Sequence, residues 1–175
     1  ELIFTHCFEG IVGVEPATGR QKWMIDVFGT HPQRAVGSPI VFKDLVIANS
    51  GAAGGEDNTV AVRPASDVPA EPVREIFRLT RNSPHAPTVL VYNGLLFLWS
   101  DAGIVTCCLA DSGEIVWQHR VGGSYFSSPI CVNGKLYCTD TSGKIVVIKA
   151  SEEYELLARN TIDDPCHAVP AVSGG

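Results

Sequence analysis

No stretch of this 175-residue chain is apolar for long enough to cross a bilayer as a helix, which takes about 18 consecutive apolar residues. No block of Lys or Arg occurs and the net charge is −6, so the electrostatic footprint of a nucleic-acid binder is missing. The six cysteines (Cys7, Cys107, Cys108, Cys131, Cys138 and Cys166) form no Cys-x-x-Cys pair, which leaves a zinc site with little support. Their even number permits disulfides without establishing an oxidising compartment. Nowhere does a long segment show helical periodicity with caps. The apolar start, Leu2-Ile3-Phe4, is far too short for the core of a signal peptide. A chain that opens on Glu1 reads as a processed product or an excised piece. What is present is globular: 45% of the residues are hydrophobic, and the length suits one domain with a sizeable core.

Internal repetition decides the fold class. Four segments share one design: "GSPIVFKDLVIANS" from Gly37, "APTVLVYNGLLFLWSDAG" from Ala86, "SSPICVNGKLYCTDTSG" from Ser127 and "AVPAVSGG" from Ala168. Each places a proline at the head of a short apolar strand. Pro39, Pro87, Pro129 and Pro170 are separated by 48, 42 and 41 residues, the period of a four-stranded propeller blade. Proline lacks an N–H and suits the first residue of a strand. Asn93-Gly94 and Asn133-Gly134 lie between β-rich runs and predict two-residue hairpin turns. Lys43-Asp44 holds that place in the first repeat. Third strands are expected over 60–63, 104–109 and 144–149, and fourth strands over 73–79, 115–121 and 154–161. A β-sandwich is the competing architecture, but it gives no reason for the regular spacing or the repeated proline.

The expected fold is therefore an all-β propeller of four-stranded antiparallel blades, with about four blades' worth of strands. Residues 1–27 read as a part-blade lacking its first strand. Complete blades follow at 37–79, 86–121 and 127–161. Residues 168–175 read as the first strand of a further or closing blade. Such a segment fits part of a larger ring of seven or eight blades, or half of one completed by a second copy.

A turn-then-Trp device occurs twice. Thr18-Gly19 is followed by Trp23, and Ser112-Gly113 by Trp117, 94 residues on. This pattern resembles the tryptophan-docking motif of quinoprotein (PQQ-like) propellers. That family includes the pyrroloquinoline-quinone dehydrogenases and non-catalytic relatives such as the lipoprotein of the outer-membrane barrel assembly machinery. The eleven-residue units would be 13–23 and 107–117. The resemblance implies that each Trp packs on the glycine peptide of a neighbouring unit, so that Gly19, Trp23, Gly113 and Trp117 form a structural docking set. Two repeats depart from it. The second blade has Phe77 where a Trp would sit, and the last has neither Thr-Gly nor Trp.

The same resemblance raises a quinone cofactor with Ca²⁺ and a vicinal disulfide at Cys107-Cys108. Against that, the two cysteines fall on a third strand, where successive side chains face opposite ways. No acidic and amide cluster can be assigned to calcium. Cys131 and Cys138 sit diagonally about the Asn133-Gly134 turn, a poor disulfide geometry, so reduced core thiols are expected. Cys7 and Cys166 could meet only if the ends do. The loops between second and third strands, and between fourth and first strands, should gather at one rim of the channel. They carry His85, His167, Asp101, Asp140, Arg34 and Tyr125, the residues a small ligand would meet there, together with Glu56, Asp57 and Phe126. The competing reading of this rim is a solvated polar surface without chemistry. "GAAGGEDNT" lacks the Lys-Ser/Thr of a phosphate loop. The sequence thus favours a non-catalytic scaffold without cofactor or metal that binds protein or peptide at blade edges or the rim. By resemblance it would be periplasmic or otherwise exported. The alternative is a fragment of a PQQ- and Ca-dependent dehydrogenase.

Overall fold

A computed structural model describes residues 1–29, 34–51, 57–67 and 70–173. Among the described residues there are no helices, only strands, turns and loops. The first sheet has three strands, β1 (Leu2–His6), β2 (Gly10–Val14) and β3 (Gln21–Ile25), in that order. The second comprises β4 (Ile40–Phe42), β5 (Leu45–Ser50), β6 (Asn58–Arg63) and β9 (Arg74–Leu79). A two-stranded ribbon, β7 (Ser66–Asp67) and β8 (Ala70–Glu71), interrupts it. The third sheet is β10 (Leu90–Tyr92), β11 (Leu95–Trp99), β12 (Ile104–Leu109) and β13 (Ile115–Arg120). The fourth is β14 (Ile130–Val132), β15 (Lys135–Thr139), β16 (Lys144–Lys149) and β17 (Leu156–Thr161). Every pairing is antiparallel, and each sheet runs in chain order. This is the all-β blade architecture that the repeat spacing predicts.

The hairpins follow from their turn residues. Asn93 and Gly94 take φ values of 49° and 79°, and Asn133 and Gly134 take 49° and 71°. Positive φ at both places lets a two-residue turn match the strand twist. It sets Tyr92 opposite Leu95 and Val132 opposite Lys135.

The middle strands of the second and third blades are buried on both faces because each of these blades has a neighbour on either side. The alternation sorts their residues into separate cores. On β5, Val46 and Ala48 pack with Ile11, Trp23 and Phe28 of the first blade, whereas Leu45 and Ile47 pack with Leu96 and Leu98 of the third. On β11, Phe97 and Trp99 instead join Leu136, Val146 and Ile148 of the fourth. Each fully buried aliphatic or aromatic side chain contributes about 1.5–3 kcal/mol, so the blades hold one another in place and none carries its own core.

A second device locks blade to blade. Between third and fourth strands every sheet has a bulge. Just before it, the cross-strand pairs are Gly13–Trp23, Ala61–Phe77, Cys107–Trp117 and Val147–Ala158. A large ring faces a small residue in three blades, and the sizes reverse in the fourth. The rings reach forward along the chain. Trp117 Nε1 donates to the Ser151 carbonyl at 3.0 Å and stands edge-on to Tyr154 in the next blade's turn. Phe77 lies against Gly113, where an added Cβ would come within 2.6 Å of the ring. Trp23 is buried in the core that also takes in Ala65 and Val73, which flank the second blade's turn. Phe77 thus does the work expected of a Trp. Gly19 repeats the backbone of Gly113, with φ of 71° against 73°. Its N–H donates to the Glu15 carbonyl as that of Gly113 does to Leu109. Yet nothing lies within 4 Å of the Cβ position at Gly19, so it receives no ring from within this chain.

The segment 168–175 was expected to be a first strand. Its described residues, 168–173, form none.

The docking geometry separates two otherwise identical substitutions. Gly113→Ala meets both the left-handed backbone, which costs a non-glycine residue about 1–2 kcal/mol, and the Phe77 ring, with overpacking worth about 1–3 kcal/mol more. Gly19→Ala meets the backbone term alone. Denaturant titration should show Gly113→Ala losing at least twice the stability that Gly19→Ala loses. Equal losses would mean that Phe77 does not bear on Gly113.

Candidate functional site

The loops of one face tie the blades together with polar side chains, and the sequence-derived rim residues divide according to that task. Asp101 follows β11. Its carboxylate accepts the backbone N–H of His85 at 2.6 Å and of Ala86 at 3.2 Å, both in the loop that leaves the second blade. Its own carbonyl takes the N–H of Tyr125 at 2.9 Å. Asp140 occupies the same place after β15 but turns inward on its own loop. It accepts the Ser142 N–H and hydroxyl and the Lys144 N–H, at 2.9, 2.7 and 2.9 Å. Burial works against the charge on Asp140, but the hydrogen bonds from Ser142 and Lys144 outweigh it and hold the carboxyl below its ordinary range. Both carboxylates are therefore occupied with backbone donors.

Tyr125 requires a correction. Sequence placed it on the rim as a ligand contact, but it is fully buried. It stands edge-on to Trp99 with ring centroids 5.4 Å apart. Two glycines precede it at positive φ and turn the loop inward, so the ring fills the space between third and fourth blades. Its hydroxyl and the Trp99 indole N–H both lack a hydrogen bond of full geometry. Burial pushes the phenol well above its ordinary range, with the Cys138 and Asp140 groups adding to it.

Arg34 pairs through its backbone with Gly51, N–H to carbonyl both ways at 2.7 and 3.1 Å, and its side chain is exposed. His167 is exposed on the last loop and tilts against Phe126, 5.3 Å between centroids. Glu56 lies outside the described residues. The structure brings His85 and Asp101 together. It leaves Arg34, His167 and Asp140 in separate loops.

Around His85 there is a cavity of about 240 Å³ lined by Asp57, Asn82, Ser83, His85, Ser100, Asp101 and Ala102. Asp57, at the end of the glycine-rich loop, forms one wall. Burial raises its carboxyl above the ordinary value. The His85 ring pulls the other way, and the Asp101 charge adds to the rise. His85 Nε2 is fully buried without a hydrogen-bond partner. Because Asp101 holds the His85 main chain and not its ring, the pair lacks the base-and-orienter geometry of an acid–base dyad. A second cavity, of about 370 Å³, lies between first and second blades around Arg78. That guanidinium already donates to Glu75, Asn58 and the Val27 carbonyl.

Among the described residues no three His, Cys, Asp or Glu side chains converge on a metal position. Cys107 and Cys108 are free thiols in two different cores, one facing the fourth blade and one the second. Burial pushes both up to about 12, and Cys138 likewise. All six cysteines are free, Cys7 and Cys166 included.

Comparison with known proteins supplies the context. Residues 74–156 match the family described as outer membrane protein assembly factor BamB. The chain superposes on the crystal structure of BamB from Moraxella catarrhalis with a TM-score of 0.73 at 13% identity, over 97% of this chain and 48% of that one. It superposes on quinohemoprotein alcohol dehydrogenase from Comamonas testosteroni with a TM-score of 0.70 at 12% identity, over 91% and 33%. For quinohemoprotein alcohol dehydrogenase ADHIIG from Pseudomonas putida HK5 the values are 0.63 and 16%, over 87% and 31%. At these identities the likeness is one of fold, and the chain spans less than half the length of each. No match is found among the curated proteins.

Thiol labelling checks this cysteine arrangement. In the native protein at pH 8 a thiol reagent should react readily with the half-buried Cys7 and Cys166 and more slowly with Cys131. Cys107, Cys108 and Cys138 should react only on unfolding, since a pKa of about 12 leaves on the order of one thiolate in ten thousand at that pH. Rapid native labelling of Cys107 or Cys108, or a missing thiol pair after unfolding without reductant, would contradict the buried free-thiol assignment.

Proposed function

We propose that the chain, whose fold is that of a PQQ-like β-propeller segment, serves as a non-catalytic scaffold that receives a protein or peptide. The receiving surfaces are the rim face and the outer blade edges. One observation carries the reading: the rim side chains that could do chemistry are spent on tying loops. Asp101 holds the His85 and Ala86 backbone, Asp140 caps its own turn, and Tyr125 lies in the core. The match to an outer membrane protein assembly factor supports an assembly role of that kind and an exported, periplasmic setting. The net charge of −6 disfavours a nucleic-acid partner. Exposed Phe126 beside His167, and Ile115, Val116, Leu156 and Leu157 on the outer strands, offer apolar contact area of the type interfaces use.

The alternative is a part of a quinone-dependent dehydrogenase, favoured only by the fold shared with the two alcohol dehydrogenases. A second copy completing a ring is a further possibility for partner identity. The docking device speaks against closure by that route: the fourth blade offers Ala158, not a ring, to an acceptor such as Gly19.

Two measurements test the reading. A photo-crosslinking residue placed at Phe126 or Ile115 should capture protein in an extract of the outer cell envelope, whereas one at the turn residue Asn93 should not. Addition of quinone and Ca²⁺ should give no alcohol-dependent dye reduction. Turnover with quinone, or the same crosslinks from all three positions, would overturn the scaffold proposal. Light scattering of the 175-residue chain should give a monomer, and a stable dimer would show that two copies close on each other without an aromatic lock.

A further inference from the structure

The cavity between second and third blades has a polar lining in which most groups are already satisfied. Ser83 Oγ donates to the Leu79 carbonyl at 2.8 Å, and Ser100 Oγ accepts the Ile104 N–H at 3.0 Å. The Asn82 amide donates to Gln118 at 3.2 Å. Asp101 is held by the two backbone donors of the His85 loop. Two groups are left over. The Asp57 carboxylate makes no hydrogen bond or ion pair among the described residues, and His85 Nε2 is sealed from water without a partner. Leaving a half-buried carboxylate unpaired and a buried imidazole nitrogen unsatisfied costs free energy at both groups. Nothing in the fold requires either cost. Asparagine at 57 would remove the charge, and the Asp101 bonds that shape the loop use only the His85 backbone.

The signs and sizes limit what could relieve these groups. Two carboxylates face the cavity, and among the described residues no Lys or Arg lines it. An anion is therefore repelled, and a cation is attracted with little competing screening. The volume of about 240 Å³ equals roughly eight waters at about 30 Å³ each, room for the end of one side chain but small beside the pockets of about 300–1,000 Å³ that take whole ligands. Among the described residues no third metal-ligating side chain converges there, so an organic cation fits better than a bare divalent ion.

We propose that this cavity takes the cationic head of a Lys or Arg side chain presented by the partner, with the Asp57 carboxylate as its counter-ion and the His85 side chain as part of the wall beside it. The proposal rests on the scaffold reading and gives the partner a required feature: a basic residue that projects into the junction of second and third blades. Asp101 is a positioning residue, fixing the His85 backbone while its charge adds to the field.

The test uses the 175-residue chain, isotopically labelled, and three probes: the Nα-acetyl N-methylamides of lysine, arginine and norleucine. The two basic probes should give saturable NMR shifts at His85 and Asp57 with affinities on the order of millimolar, as one head group allows. The midpoint should weaken several-fold when salt is raised from about 0.05 to 0.5 M. Norleucine should give no such shift. Asp57→Asn should keep the native spectrum and lose the basic-probe response at least five-fold, while His85→Gln weakens it less. Equal shifts with norleucine, no saturable shift with either basic probe, or full binding by Asp57→Asn overturns the proposal. Crosslinking from Phe126 in the Asp57→Asn variant separates this from the scaffold reading. Unchanged capture there, with no probe response in the parent, rejects the cationic site alone. Probe binding without capture from any position rejects the scaffold alone.

Discussion

The structure depends on a volume rule at one point in each blade. Where the third strand bulges against the fourth, a ring and a small residue must share a fixed space. Gly13 opposes Trp23, Ala61 opposes Phe77, and Cys107 opposes Trp117. At Gly13 the rule is tightest, since a Cβ there would lie 2.3 Å from the indole. Because the opposing residue is small, the ring can lie flat along its own sheet and still extend to the next blade's turn. The bulge supplies the offset that aims it. This makes the contact directional: each blade gives a ring forward and receives one from behind. The fourth blade inverts the pair to Val147 and Ala158 and gives nothing forward. Between the four blades of this chain the rings thus make three forward contacts, alongside hydrophobic cores that are alike from sheet to sheet.

The same geometry governs the polar face. Blades packed face to face leave only loops to close the gap at the rim, and buried loop backbone must be hydrogen-bonded. Asn49 donates to the carbonyls of Pro84 and Pro87 at 3.0 and 3.1 Å, and Ser127 to the carbonyl of Thr139 at 2.6 Å. Asp101 and Asp140 do similar work with N–H groups. A rim rich in Asp, Ser and His therefore looks chemically equipped while most of its polar atoms are spoken for. What remains free to act has to be found by subtraction, and among the groups lining the cavity between second and third blades subtraction leaves Asp57 and the His85 ring.

Much of the fold was legible because it follows from rules of period and turn. Proline at 41- to 48-residue spacing and two Asn-Gly turns specify hairpins and their repetition without tertiary information. The third and fourth strands of the later blades, Ile104–Leu109, Ile115–Arg120 and Lys144–Lys149, begin and end within a residue of where alternation and turns put them. The site was less legible. Tyr125 follows Gly-Gly-Ser and sits before Phe126, a context that reads as a loop either way. Its burial depends on positive φ at Gly122 and Gly123, which composition does not reveal. Phe77 could be named as a stand-in for Trp, but its seat on Gly113 belongs to a contact 36 residues away in sequence. Asp57 counted as a rim residue but not as a site residue, because the groups it meets, His85 and Asp101, lie on other loops. A usable signal existed: Gly51 and Gly37 precede buried or crowded side chains, with an added Cβ at 2.6 Å from Asp57 and 2.7 Å from Asn49. Such glycines mark where loops press together.

Cys107 and Cys108 show how backbone alternation settles a chemical question that a dipeptide alone leaves open. Adjacent cysteines invite a redox reading. On a regular strand, however, their side chains leave opposite faces, and in a propeller the two faces belong to different interfaces. Cys107 packs with Trp99 and Leu136, and Cys108 with Leu96 and Ile47. Bringing the sulfurs together would pull one of them out of a core and break the ladder beside a bulge that positions Trp117. That cost falls on the docking contact itself, so the feature that holds third and fourth blades together is incompatible with a disulfide at this dipeptide. Buried thiols here are small apolar fillers whose size, set against the ring they oppose, is what matters.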